Sequence, residues 1–362
     1  MAALFDPIKL RDLEVANRLW LAPMCQYSCE NRDGLVGDWH RVHLVTRALG
    51  GFGLLITEAT AVVPEGRISP QDAGIWGEAQ RRAWQPVVDA VHEAGARIAV
   101  QLAHSGRKGS TYRPWDRPAG SFGGGASVPA EDGGWQTVAP SEIPYPGYAM
   151  PREMTEREVV EVVRDFRDAA VRAVDAGFDA VEIHAAHGYL LHQFLSPLSN
   201  EREDTYGGTP EKRAKLTVDV VEAVRSAVEV PVIVRVSATD WTEGGLVVED
   251  FEEIGRWLRR AGADLIEVSS GANVPAKIPV GPAYHAPFAT HIREAVGIPV
   301  GTVGMIEDAA LADAIVREER ADVVLIARGA LRNPMLPLQW AHELGVTGGP
   351  AFPKQYERGA WR

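Results

Sequence analysis

Short apolar runs rich in β-branched residues recur along the chain, separated by longer segments of helical period. Eight of them read as strands: Arg18–Ala22, Gly53–Thr60, Arg97–His104, Ala180–His187, Pro231–Ala238, Leu265–Ser270, Pro299–Gly304 and Val323–Arg328. Leu54-Leu-Ile56 and Val232-Ile-Val234 are apolar on both faces, as parallel strands covered by helices must be. Helical period predicts helices over Glu78–Ala94, Glu156–Ala176, Pro210–Val228, Val248–Ala261 and Asp308–Glu319. In the second of these, Val159, Val162, Val163, Phe166, Ala170 and Val174 line one face. Ala94-Gly-Ala96, Ala176-Gly-Phe-Asp179 and Ala261-Gly-Ala-Asp264 repeat at helix-to-strand joints, where glycine closes a helix in the left-handed conformation. Eight such alternations predict a (β/α)8 TIM barrel. A doubly wound sheet is the alternative, weakened because no GxGxxG follows an early strand.

One interval breaks the rhythm. Residues 105–154 are dense in Gly, Pro, Trp and Ser, including Ser121-Phe-Gly-Gly-Gly-Ala126 and Pro144-Tyr-Pro-Gly-Tyr148. So long an excursion after the third strand predicts a capping, lid-like segment with a small hairpin, against the plainer reading of a disordered insertion. Tyr112, Trp115, Phe122, Trp135 and Tyr145 favour at least partial packing. Nothing else reads as a linker, so residues 1–362 are expected to form one domain, with 346–362 as a C-terminal tail. The net charge of −12 lacks the basic footprint that nucleic acid or anionic lipid requires. Two cysteines, Cys25 and Cys29, cannot build a disulfide framework, a four-cysteine zinc site or an iron–sulfur cluster. With no basic-then-apolar leader and no apolar run near the roughly 18 residues that span a bilayer, a cytoplasmic location is expected.

Chemistry in such a barrel gathers where strands end. The ends read Pro23-Met24-Cys25, Glu58-Ala59-Thr60, Gln101 with His104, His184 with His187, Arg235 with Ser237, Ser269-Ser270-Gly271, Val303-Gly304 and Ala327-Arg328. Small residues plus one arginine at the last two ends suit a phosphate monoester; the plainer reading is a turn and a surface charge. The densest cluster is His184-Ala-Ala-His187-Gly-Tyr189, which supplies hydrogen-bond donors and a proton source. Residues three apart on a strand face opposite sides, so the chain must turn for both histidines to converge. A metal site needs a third ligand that does not stand out, and a structural histidine pair is a further reading. Spacing alone reads Cys25 as a small buried hydrophobe and Arg358 as part of a mobile tail.

Several segments together carry a resemblance: Pro23-Met-Cys-Gln-Tyr27, Gln101-Leu-Ala-His-Ser-Gly-Arg-Lys108, Glu182-Ile-His-Ala-Ala-His-Gly-Tyr189 and Ser196-Pro-Leu-Ser-Asn200. Tyr206-Gly-Gly-Thr-Pro-Glu-Lys-Arg213, Val303-Gly-Met305, Ile326-Ala-Arg328 and Gln355-Tyr-Glu-Arg358-Gly359 complete it. From Leu4 onward, interrupted only at 105–154, the chain resembles the Old Yellow Enzyme family of flavin-dependent ene-reductases. Cys25 and the tail resemble its bacterial thermophilic-like subclass.

The resemblance implies an FMN-containing barrel that takes hydride from NADPH or NADH and reduces the activated C=C bond of a small enone or related alkene, nitroalkenes among them. It implies that His184 and His187 hold the substrate oxygen, that Tyr189 protonates the other carbon, and that Cys25 lies by the flavin with Tyr27 near the substrate. It assigns Gln101 to the pyrimidine edge and Arg213 to its N1 and O2. Pro23, Met24 and Ala59 contact the ring, and Lys108 approaches the substrate or cofactor. Ser270, Gly271, Val303, Gly304, Ala327 and Arg328 are assigned to the phosphate end. Arg358 is expected to reach the site of a neighbouring subunit, which makes a homo-oligomer, dimer or tetramer, part of the expectation. Two departures stand out: Ala327 replaces a glycine common among relatives, and the 105–154 excursion is longer. Relatives with an iron–sulfur cluster and an appended FAD domain are excluded by length and cysteine count. Two other readings remain open: a flavin-binding redox sensor using Cys25, and a metal-dependent barrel hydrolase using His184 and His187.

Overall fold

The computed structural model describes residues 3–117 and 127–361. The Ser121–Ala126 run and Phe122 lie outside the described residues. The strands are β1 (Ile8–Leu10), β2 (Leu13–Val15), β3 (Leu19–Leu21), β4 (Leu54–Ala61), β5 (Arg97–Ala103), β6 (Val138–Ala139), β7 (Arg152–Glu153), β8 (Ala180–Ala185), β9 (Val232–Ser237), β10 (Leu265–Ser269), β11 (Val300–Thr302) and β12 (Val323–Ile326). Eight of them, β3, β4, β5, β8, β9, β10, β11 and β12 in that spatial order, close a parallel barrel. The helices around it are α1 (Asp38–Leu49), α2 (Glu78–Glu93), α3 (Glu156–Asp175), α4 (Leu190–Leu195), α5 (Pro210–Ala227), α6 (Asp250–Ala261), α7 (Ala286–Val296), α8 (Ala309–Arg317), α9 (Arg328–Arg332) and α10 (Leu336–Glu343).

Local chemistry explains the helix ends. Thr155 caps α3 in a reciprocal box: its hydroxyl accepts from Glu158 N–H at 3.3 Å, and Glu158 accepts from Thr155 N–H at 2.8 Å. The Thr209 and Asp308 side chains cap α5 and α8 by accepting from Lys212 N–H and Leu311 N–H, without the reciprocal bond. The three repeated joints behave as their pattern predicts, with Gly95, Gly177 and Gly262 at φ +87°, +97° and +107°.

Two cores result. The larger lies between strands and helices. The smaller fills the barrel with Trp20, Leu54, Ile56, Ala99, Ala180, Ile233, Leu265, Val323 and Leu325, and the β1–β2 hairpin packs Ile8, Leu10 and Val15 against it. Buried Trp20 keeps its indole N–H satisfied by Asn17 C=O at 3.0 Å.

The excursion differs from the expected hairpin. Its two short strands, β6 and β7, pair in parallel, and Thr111 bridges Ser127 antiparallel. Trp135 is tied down by its indole N–H on Glu65 C=O at 2.9 Å, whereas Trp115 is 61% exposed. Among the described residues no helix is long and apolar enough to cross a membrane.

Candidate active site

Two residues along each of four neighbouring strands, the barrel interior changes character. Ala99 is followed by Gln101, Ala180 by Glu182, Ile233 by Arg235 and Leu265 by Glu267, all inward by the two-residue period of a strand. All four polar groups are buried. Gln101 donates Nε2–H to Glu182 Oε1 at 2.7 Å, and Arg235 Nε lies 3.0 Å from Glu267 Oε1. That second contact is an ion pair too misaligned to be a hydrogen bond. Burial, reinforced by neighbouring Glu267, pushes the Glu182 carboxyl well above the usual range.

The next level carries the histidines. β8 ends at Ala185, and His187 takes a left-handed φ of +58°, the turn that convergence demands. His187 N–H donates to Ser237 Oγ at 2.9 Å. The His184 ring lies 5.2 Å from that of His187 and 5.1 Å from that of Tyr189, edge-on to both. Burial, then the positive charge of Arg235, holds both imidazoles well below their ordinary pKa, so each is neutral at pH 7. Ala186 N–H points at His184 Nδ1 at 3.4 Å, which places the ring proton on Nε2. His187 Nε2 is engaged by Ser269 Oγ at 2.7 Å. Burial pushes the Tyr189 phenol up, so it stays protonated.

Opposite stands the segment after β3. A bulge in β4 sets Ala59 level with Gln101 and turns Glu58 to the buried His40, 3.2 Å away. Cys25, Tyr27 and Tyr189 pack against Ala59, Ile68 and Ala103. Burial first, then Asp72 and Glu58, raises the Cys25 thiol, so this cysteine is held as the poorly reactive thiol. That environment is the reverse of what an oxidisable sensor needs.

Lys108 closes the cluster. Its ammonium donates to His187 C=O at 2.8 Å and Ala272 C=O at 2.9 Å, and lies 4.8 Å and 5.2 Å from the rings of Tyr145 and Tyr189. Burial, then Arg107, lowers its pKa to about 7.

At the far end a cavity of 170 Å³ is lined by Gly304, Met305, Ala327, Arg328 and Gly329, with Arg235 and Ser269 at its inner wall. Gly304 has φ +113°, and a Cβ there would meet the Tyr284 and His285 rings at 2.8 Å, so bare backbone walls the cavity. Among the described residues Arg328 has no ion pair or hydrogen bond of its own. The Ala327 methyl packs against the barrel core. Ser270 sits beside the cavity but is committed to Trp241 and His285, each at 2.8 Å. An exposed arginine, bare amides, a buried cation at the floor and a free face on Gln101 form a donor set that fits FMN, phosphate outward and pyrimidine edge inward.

One expected site residue lies outside this cluster, and Arg358, expected to reach a neighbouring subunit, lies in the tail. Arg213 is on α5 in the outer layer, its guanidinium donating to Leu195 C=O at 3.0 Å and to Gly208 C=O. The cation of the barrel floor is Arg235, noticed in the sequence as a strand end but not assigned to the flavin. Arg358 is exposed in the tail, where Trp361 stacks on His342 at 5.0 Å. Glu182, Glu267, Ser237 and Ser269 also escaped assignment; the first two lie two positions on from the apolar, inward Ala180 and Leu265, and the serines lie two positions beyond Arg235 and Glu267. Among the described residues no three His, Cys, Asp or Glu side chains converge as a metal donor set, so His184 and His187 lack a third ligand.

Residues 3–346 match the model of the NADH:flavin oxidoreductase / NADH oxidase family. The chain is 46% identical over its whole length to all of an NADPH dehydrogenase of Listeria innocua. It is 45% identical over 99% of its length to 98% of the NADPH dehydrogenase of Geobacillus thermodenitrificans. A solved structure of morphinone reductase in complex with tetrahydroNAD superposes with a TM-score of 0.78 at 30% identity, over 97% of this chain and 92% of that one. The chain therefore belongs to the NADH:flavin oxidoreductase family, the Old Yellow Enzyme family, and is an FMN- and NAD(P)H-dependent oxidoreductase.

Proposed function

We propose that this oxidoreductase is an ene-reductase, reducing the activated C=C bond of α,β-unsaturated carbonyl compounds and of nitroalkenes. The observation that carries the reading is the convergence of two neutral imidazoles and one protonated phenol at the strand ends. When bound, FMN would supply the hydride equivalent that NAD(P)H provides and the β-carbon of the alkene accepts. His184 and His187 receive the substrate oxygen, on which negative charge develops, and neutral N–H donors in a buried site stabilise it. Because Ser269 engages His187 in the free protein, substrate binding exchanges that hydroxyl for the substrate oxygen. Tyr189 then gives its proton to the α-carbon, which balances the reduction: one hydride and one proton across the double bond.

In the same reading, Gln101, Arg235 and the backbone at Pro23, Met24, Cys25 and Ala59 hold the ring. Gly271, Val303, Gly304, Ala327 and Arg328, with Ser270 alongside, hold the phosphate. Tyr27 and Lys108 face the substrate. NADP⁺ leaves before the alkene enters, giving ping-pong kinetics. Replacing Tyr189 by phenylalanine should slow the alkene half-reaction by roughly 10²- to 10⁴-fold and leave reduction by NADPH intact, as stopped-flow absorbance reads separately. An unchanged alkene rate removes Tyr189 as the acid.

We also propose a cytoplasmic homo-oligomer in which Arg358 completes a neighbour's site. Its support is the exposed tail, with Tyr356 52% and Trp361 47% exposed, and the exposed Trp39, whose indole N–H donates to Gln26 beside Tyr27. Arg358→Ala should raise the alkene KM and leave Tm unchanged. A lowered Tm with unaltered kinetics makes the tail structural instead.

A further inference from the structure

The floor of the barrel holds two carboxyl groups that the reaction above does not use. Glu182 and Glu267 are fully buried, on strands that both flank β9, and their carboxyl groups face one another. Glu182 Oε1 accepts from Gln101, whereas Glu182 Oε2 and both oxygens of Glu267 have no hydrogen-bond partner among the described residues. Three orphaned acceptors side by side in a closed core carry a heavy desolvation cost. One proton removes most of it: on Glu182 Oε2 it becomes a donor, and Glu267 becomes its acceptor.

The charged neighbours decide where that proton sits. Arg235, from β9, stands 3.0 Å from Glu267, so Glu267 is the group held as the anion. Gln101 presents an amide to Glu182 from β5, and His184, further along the same strand as Glu182, is neutral. No second cation of the floor faces Glu182 among the described residues.

We infer that Glu182 and Glu267 form a one-proton carboxyl pair, with the proton on Glu182, that orients Gln101 and Arg235 beneath the flavin. The pair leaves the floor with a single balanced ion pair, Arg235 with Glu267. With Gln101 Nε2 committed to Glu182, its Oε1 is the atom left to accept an N–H from the ring. Glu182 and Glu267 are thus positioning residues, acting through Gln101 and Arg235. The inference rests on the flavin lying over this floor.

The test compares Glu182→Gln and Glu182→Leu in the FMN-loaded protein. Infrared difference spectroscopy of wild type against Glu182→Gln should show the loss of one carboxylic-acid C=O band, because glutamine replaces the neutral form. The flavin midpoint potential of Glu182→Gln should stay at the wild-type value, since no charge has been removed. Glu182→Leu, which gives Gln101 no acceptor, should weaken FMN binding by roughly tenfold, while Glu182→Gln restores it. An unchanged infrared band, or a potential raised in Glu182→Gln, means that Glu182 was ionised and overturns the pair. Wild-type FMN affinity in Glu182→Leu overturns the positioning role. Should Glu182→Leu fail to fold, the band and the potential of Glu182→Gln still decide. A wild-type protein that binds no FMN would defeat the flavin reading separately, leaving the infrared result as the test of the pair.

Discussion

The lower and upper halves of the barrel interior are built on the same strands, yet they hold opposite contents. Below, Ala99, Ala180, Ile233 and Leu265 pack with Trp20 and Leu54, and the β1–β2 hairpin closes that end. Two residues on, the same strands present Gln101, Glu182, Arg235 and Glu267, and two further on, His184, Ser237 and Ser269. The comparison shows how the fold separates its tasks. Apolar layers stabilise the barrel without touching the chemistry, so the upper layers can bear buried charge and two neutral histidines that would be costly in an unsupported site.

The separation breaks most visibly from below. Leu265→Ala leaves a cavity under Glu267 and should cost about 2–5 kcal/mol, read as a lowered Tm and denaturant midpoint. Alkene reduction per folded molecule should change little; a large kinetic loss at unchanged stability would mean that the lower layer is part of the site.

A smaller effect sharpens the upper half. Lys108 titrates near pH 7, held between the Tyr145 and Tyr189 rings. Below that pH it is a cation beside Tyr189 and favours loss of the phenolic proton. Above it the amine is neutral and Tyr189 is a weaker acid. The alkene half-reaction should therefore fall as pH rises through about 7, by less than about tenfold. Lys108→Met should flatten that step in the stopped-flow profile, and a step that persists in the variant assigns it to another group.

The same two-residue alternation explains what the sequence reveals and what it hides. The barrel is legible because β4 and β9 open with Leu54-Leu-Ile56 and Val232-Ile-Val234, apolar on both faces, and glycines mark the helix ends. Apart from β4, which runs one residue past the predicted Thr60, strand ends run one or two residues long in that reading; β8 ends at Ala185, two residues before His187, whose φ of +58° is a turn the sequence pattern does not mark. Helix α1 escapes because its buried face includes His40, His43 and Arg47, which pattern reading scores as exposed. The His184–Tyr189 cluster is legible because it is contiguous. The floor is not, since Glu182, Arg235 and Glu267 become neighbours only when β8, β9 and β10 pair. For the same reason Arg213, inside a family-like motif, drew the sequence reading, whereas the buried cation of the floor is Arg235.

The central claim is that the reduced site passes its hydride to an activated alkene. The most direct test is the visible spectrum of the purified protein, reduced with NADPH without oxygen and then given cyclohexenone. The account predicts a flavin band that bleaches with NADPH and returns with the enone at one equivalent per site. A band that stays bleached with enones and nitroalkenes alike, and returns only with oxygen, would contradict it.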